Sequence, residues 1–102
     1  MQDANVEPFL QVTAPDGETS REVALVGDAM TIGRSPKVEV VLDLEAVSRR
    51  HAQLSRDDQG WWVEDLGSVN GTFLNGQKLD GRHLLAIGDR IEIEGFALLY
   101  RI

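Results

Sequence analysis

Short apolar-rich segments separated by turn residues run along the chain, and two of them, "HAQLSR" (51–56) and "RIEIE" (90–94), alternate apolar and polar positions with a period of two. Alternation of this kind places successive side chains on opposite faces of an extended strand. "FLQVTA" (9–14) ends at the turn signal "PDG", and "REVALV" (21–26) stops at Gly27-Asp28. "MTIGR" (30–34) is a short strand with a glycine near its end, and "VEVVLD" (38–43) is rich in β-branched residues. "HAQLSR" (51–56) runs into "DDQG", and "WWVEDL" (61–66) follows. "TFL" and "QKL" flank Asn75-Gly76, a pair suited to the positive φ angles of a type I′ hairpin turn. "LAIGDRIEIEGFALLYRI" closes the chain, with turn points at Gly88-Asp89 and Glu94-Gly95.

No window of eleven or more residues carries convincing helical periodicity. "LEAVSRRHAQL" comes nearest, but Val47, His51 and Leu54 form a thin stripe. Many short strands with regular turns predict an all-β fold, a two-sheet antiparallel β-sandwich. On adjacent strand positions Trp61 and Trp62 face opposite ways, one into the core and one outward.

Composition narrows the classes of function. A chain of 102 residues suits one domain with its own core. With no cysteine there is no disulfide framework, thiolate metal site or thiol nucleophile, which fits a reducing, cytoplasmic setting. His51 and His83 are isolated and show no ligand spacing, so neither a metal nor another cofactor is expected. No apolar run approaches the roughly 20 residues of a membrane span, so no membrane partner is expected. "MQDANVEP" is acidic and polar, unlike a signal peptide, and residues 1–7 read as a flexible tail before a domain at 8–102. The final "FALLYRI" suits a bare domain or one cut from a longer protein.

The net charge is −7. Nucleic acid is therefore not an expected partner, because its binding draws on a basic face. Yet the window from Arg34 to Arg56 carries +2 against −9 for the rest. Such an island suits one small anion better than a long polyanion, and charge alone equally allows a chance cluster on a solvated face.

Within it, "VSRRHAQL" (47–54) admits three readings: a Ser/His hydrolase, a phosphate site, or an ordinary strand. A triad needs the serine hydroxyl bonded to the histidine, and the histidine to an acid such as Asp43 or Asp65. On a strand, residues 48 and 51 face opposite ways, and no G-x-S-x-G elbow is present, so no enzyme is expected. "GSVNGTFLNG" (67–76) holds a second Asn-Gly step that the hairpin does not require. It predicts an exposed turn with the Asn70 amide free to bond a ligand. Asp65 reads as a loop-bonding carboxylate, and Thr19 as a plain turn threonine before a phosphoacceptor.

"IGR" (32–34), "SRRH" (48–51), "NGTFLNG" (70–76) and "LAIGDRIEI" (85–93) occur in that order on an all-β background. This resembles the forkhead-associated (FHA) domain, a phosphothreonine-peptide binding module, over about residues 8–102. The resemblance implies that Arg34 holds the phosphate, Ser48 donates to it, and Arg49 contacts phosphate or peptide backbone. It implies that Asn70 bonds the peptide main chain just after the phosphothreonine. His51 would brace the loops, Gly33 and Gly71 would shape the backbone beside the site, and Asn75 would form the hairpin behind it. Val69 stands where many family members carry Thr or Ser that touches the phosphate; it and Arg50 rank as weaker contacts. The partner implied is a phosphothreonine-containing protein or peptide in signalling, bound by a domain expected to be monomeric. The alternative is a phosphate-independent interaction or self-association scaffold on the same fold.

Overall fold

The computed structural model describes residues 7–102; the expected tail, residues 1–7, lies outside them apart from Glu7. The strands are β1 (Phe9–Thr13), β2 (Ser20–Ala24), β3 (Ala29–Gly33), β4 (Val40–Val41), β5 (Ala52–Asp57) and β6 (Gly60–Asp65). They continue with β7 (Phe73–Leu74), β8 (Gln77–Lys78), β9 (His83–Leu84), β10 (Arg90–Ile93) and β11 (Phe96–Arg101). One sheet has the order β2-β1-β11-β10-β7-β8 and the other β4-β3-β5-β6-β9. No helix occurs among the described residues, so none there is long and apolar enough to cross a membrane.

Period-two patterning builds the core. Leu10, Val12, Ile91, Ile93, Leu98 and Tyr100 of the first sheet, and Met30, Ile32, Leu54, Trp61 and Val63 of the second, form one buried cluster. Trp61 lies in that core, while half-buried Trp62 faces outward beneath Arg82, whose guanidinium carbon is 3.8 Å from the ring centroid. This is the opposed orientation that adjacent strand positions require.

Asn75 and Gly76 have φ angles of 52° and 87° and join β7 to β8 with Leu74 opposite Gln77. Glu94 and Gly95, at 48° and 89°, close the β10–β11 hairpin in the same way. Both pairs have the positive φ of type I′ turns, which match the strand twist.

The expected all-antiparallel pairing needs one correction. β4 is only two residues long, not the six of 38–43, and runs parallel to β3, with Ile32 opposite Val40. The chain leaves β3 at Gly33, loops through 34–39 and returns in the same direction. A two-residue strand cannot supply every ladder acceptor, so the Thr31 amide donates instead to the Glu39 carboxylate at 2.8 Å. That exchange of a side-chain acceptor for a backbone one is invisible to strand propensity. β9 was likewise not anticipated. It follows Gly81, whose φ is 80°, and pairs Leu84 with Trp62 at the edge of β6.

Leu54→Ala, which empties a fully buried position, is expected to cost about 2–5 kcal/mol in urea unfolding. Arg56→Ala, which removes the exposed 3.1 Å ion pair with Asp28, is expected to cost under about 1 kcal/mol.

Candidate functional site

Three connections meet at one end of the β3-β5-β6 sheet: 34–39 after β3, 42–51 before β5, and 66–72 after β6. The antiparallel ladder between β3 and β5 continues past the strands, with Arg34 N–H donating to the Ser48 carbonyl at 3.0 Å and Ser35 N–H to Arg49 at 3.2 Å. Ser48 and Arg49 are thereby drawn alongside Arg34. Gly33 makes the approach feasible. A Cβ there would lie 2.1 Å from the Arg49 carbonyl oxygen, a backbone atom that cannot swing aside.

Arg34 is half-buried, and its Nε donates to the Val47 carbonyl at 3.0 Å. That bond fixes the guanidinium plane, and no ion pair engages Arg34 or Arg49 among the described residues. The Ser48 hydroxyl oxygen accepts the Val69 N–H at 3.3 Å, which leaves its own proton available to a ligand. Val69 is 83% exposed beside it, and Asn70 is exposed too.

His51 is fully buried. Its Nδ1 accepts the Ser48 N–H at 3.1 Å, and its Nε2 lies 2.9 Å from the Gly71 carbonyl oxygen. An Nδ1 that accepts and an Nε2 that faces a carbonyl require the neutral Nε2–H tautomer. The imidazole therefore ties the Ser48 loop to the Gly71 loop. The sequence reading placed 48 and 51 on opposite faces of a strand. In the structure both precede β5, and the link between them runs from the Ser48 amide rather than its hydroxyl. With both ring nitrogens committed, His51 has no lone pair with which to activate Ser48.

The second loop is organised by Asp65. One carboxylate oxygen accepts the Gly67 and Ser68 amides, both at 2.9 Å. The other accepts the Ser68 hydroxyl at 2.5 Å and the buried Thr72 hydroxyl at 2.8 Å. Ser68 Oγ in turn accepts the Gly71 amide at 2.8 Å. Gly71 has φ 92°, so this turn suits glycine. Partial burial pushes the Asp65 carboxyl up, but hydrogen bonds from Ser68, Thr72 and the Ser68 and Gly67 amides outweigh it and hold the carboxyl below the ordinary aspartate value.

The remaining expected residues lie further out. The Arg50 guanidinium lies 3.5 Å from the Thr31 hydroxyl; the Glu39 carboxyl is held below its ordinary value chiefly by the hydrogen bond from the Thr31 amide, with the Arg50 charge a lesser contribution. Arg56 pairs with Asp28 at the opposite end of β3. Of the five cations in the basic window, Arg34, Lys37 and Arg49 lie on the loops at this end, while the Arg50 guanidinium and Arg56 go elsewhere. Asn75 is separated from the loops by β7; its side chain donates to Asp89 at 3.0 Å and accepts the Arg90 amide at 2.9 Å, which fastens the hairpin to β10. Ser68 and Thr72 were missed. The Asp-x-Gly-Ser spacing of an Asx turn was the available signal. Among the described residues no group of His, Asp and Glu could hold a metal ion.

The FHA domain profile matches residues 30–94. The chain belongs to the FHA domain family. It is 40% identical over 70 residues to an oxoglutarate dehydrogenase inhibitor of Corynebacterium diphtheriae, covering 69% of this chain and 48% of that protein. It is 39% identical over 77 residues to the glycogen accumulation regulator GarA of Mycobacterium tuberculosis, covering 74% and 47%. The chain thus spans about half the length of these relatives. Among solved structures, the FhaA FHA domain complexed with the intracellular domain of Rv3910 superposes with a TM-score of 0.81 at 31% identity, covering 92% of this chain and 99% of that one. Mycobacterium tuberculosis EmbR in complex with a low-affinity phosphopeptide gives 0.85 at 27% identity, covering 94% and 24%. The FHA fold and these regulators and inhibitors mark the chain as a binding module.

Gly33→Ala is expected to lose ligand binding and to destabilise the fold, because the Arg49 carbonyl must give way; calorimetric unfolding measures the second effect. Asp65 has a lowered folded pKa, so its contribution to stability is present above the ordinary aspartate pKa of about 3.9 and is lost as pH falls through the folded value. Asp65→Asn is therefore expected to be less stable than wild type in urea at neutral pH, with the gap narrowing in acid.

Proposed function

We propose that this FHA domain reads phosphothreonine in an extended peptide, the phosphate held between Arg34 and Ser48 with help from Arg49. Asn70 aligns the peptide main chain. The observation that carries this reading is the Arg34 guanidinium, held by Val47 and free of acid partners, beside a Ser48 hydroxyl whose proton is uncommitted. A planar guanidinium offers paired donors to a phosphate dianion, a geometry lysine lacks. The phosphate carries about −1.5 to −2 charge at neutral pH, and bare threonine carries none. The peptide is bound as a ligand and leaves unchanged. The partner is a phosphothreonine protein of a signalling route, met in the cytoplasm by a monomeric domain. The FhaA relative, captured with an intracellular domain, supports that setting.

Val69 favours a second reading. Its exposed apolar side chain cannot donate to phosphate, and one charged hydrogen bond is worth roughly 1.5–3 kcal/mol. A phosphate-independent scaffold on this fold would bind its partner with or without the modification.

Titration calorimetry with a degenerate phosphothreonine peptide pool separates the two. Arg34→Ala and Arg34→Lys are each expected to weaken binding at least about tenfold, from one lost charged hydrogen bond or more. Equal affinity in wild type and Arg34→Ala, or for phosphorylated and bare peptide, would overturn the proposal. Val69→Thr is expected to tighten phosphopeptide binding, by up to about tenfold.

A further inference from the structure

Lys78 was not among the residues that the sequence singled out. It ends β8, opposite Phe73, and the next residue, Leu79, donates its amide to the Thr72 carbonyl at 2.8 Å. This brings the lysine back to the end of the sandwich where the 66–72 loop lies. Its stem covers the α-carbon of Gly71: a Cβ built on that glycine would sit 2.7 Å from Lys78 Cε, 3.4 Å from Cδ and 3.5 Å from Cγ. Three successive methylenes thus lie along the residue next to Asn70. Gly71 itself is held by Ser68 at its amide and by His51 at its carbonyl. The lysine stem therefore rests on a fixed surface. Lys78 makes no ion pair among the described residues.

A long cation whose stem is already packed gives up less rotamer freedom when it meets a ligand. In a chain of net charge −7, a cation without an acid partner beside a binding loop also steers anions toward it. Arg34 and Arg49 lie on the loops after β3 and before β5, so Lys78 adds positive charge beside the separate loop that carries Asn70 and Gly71.

We propose that Lys78 is a specificity-determining residue that selects an acidic side chain, aspartate or glutamate, following the phosphothreonine. The inference rests on the phosphothreonine reading above, since that reading places the peptide main chain at Asn70. The contact lies at the rim and is solvated, so its effect is modest and sensitive to salt.

The test is a set of phosphothreonine peptides in which aspartate replaces alanine at each position after the phosphothreonine in turn. Each is titrated against wild type, Lys78→Met and Lys78→Arg at low and high salt. Wild type is expected to prefer aspartate over alanine about two- to fivefold at one position, less so at high salt. Lys78→Met keeps a stem to cover Gly71 and is expected to bring the aspartate-to-alanine ratio to about one, while Lys78→Arg restores it. The ratio, rather than the affinity, is the readout that a merely structural role for the stem would not move. A ratio equal in wild type and Lys78→Met, with binding still dependent on phosphate, would overturn the assignment of Lys78 alone. No phosphate-dependent binding by wild type to any peptide would overturn the reading beneath it and this inference together.

Discussion

A fully buried imidazole must satisfy both of its nitrogens within the protein, and the arrangement of this domain's binding end follows from how His51 does so. One nitrogen takes the Ser48 amide and the other faces the Gly71 carbonyl. An unpaired polar group in that position would cost on the order of 1–3 kcal/mol. The two loops are therefore not independent: one carries Ser48 and Arg49 and the other Val69 and Asn70, and both are registered on the same ring. The same commitment removes His51 from chemistry. A Ser/His pair that suggests hydrolysis in one dimension is, in three, a brace.

Two further constraints set the loops at this end. Gly33 lets the Arg49 backbone pass where any side chain would collide, so Arg34 and Ser48 share one ladder. Asp65 gathers four donors and sets the loop that presents Asn70. Neither engages the groups proposed to meet the ligand, the Arg34 guanidinium, the Ser48 hydroxyl and the Asn70 amide. Binding groups on loops held by a rigid sheet are pre-organised, which lowers the ordering cost of association.

The two-sheet sandwich, the type I′ hairpin at Asn75-Gly76 and a turn at Glu94-Gly95 could be read from strand patterning and turn residues, because these are properties of neighbouring residues. The ordered motifs around Arg34, Ser48 and Asn70 were legible as a family resemblance, which the FHA profile over residues 30–94 bears out; the ligand roles of those three residues remain the proposal above. The parallel pairing of β4 was not, since it depends on where a loop returns rather than on what its strand contains. Nor was the fate of the basic window. Charge along the chain groups Arg34, Lys37, Arg49, Arg50 and Arg56, but strand direction carries Arg56 to the far end and side-chain orientation carries Arg50 onto Thr31. Lys78 lies outside that window, and the β7–β8 hairpin folds it back onto Gly71.

The central claim is that one phosphorylated ligand engages both loops at once through a brace that already exists. Amide chemical-shift mapping during titration with a phosphothreonine peptide pool, and with its unphosphorylated twin, tests it most directly. The account predicts concerted shifts at Arg34, Ser48 and Arg49 and at Val69 to Gly71, saturating together and present only with phosphate. Shifts indifferent to phosphate and confined to the outer sheet face, around Gln11, Thr13 and Leu99, would contradict it.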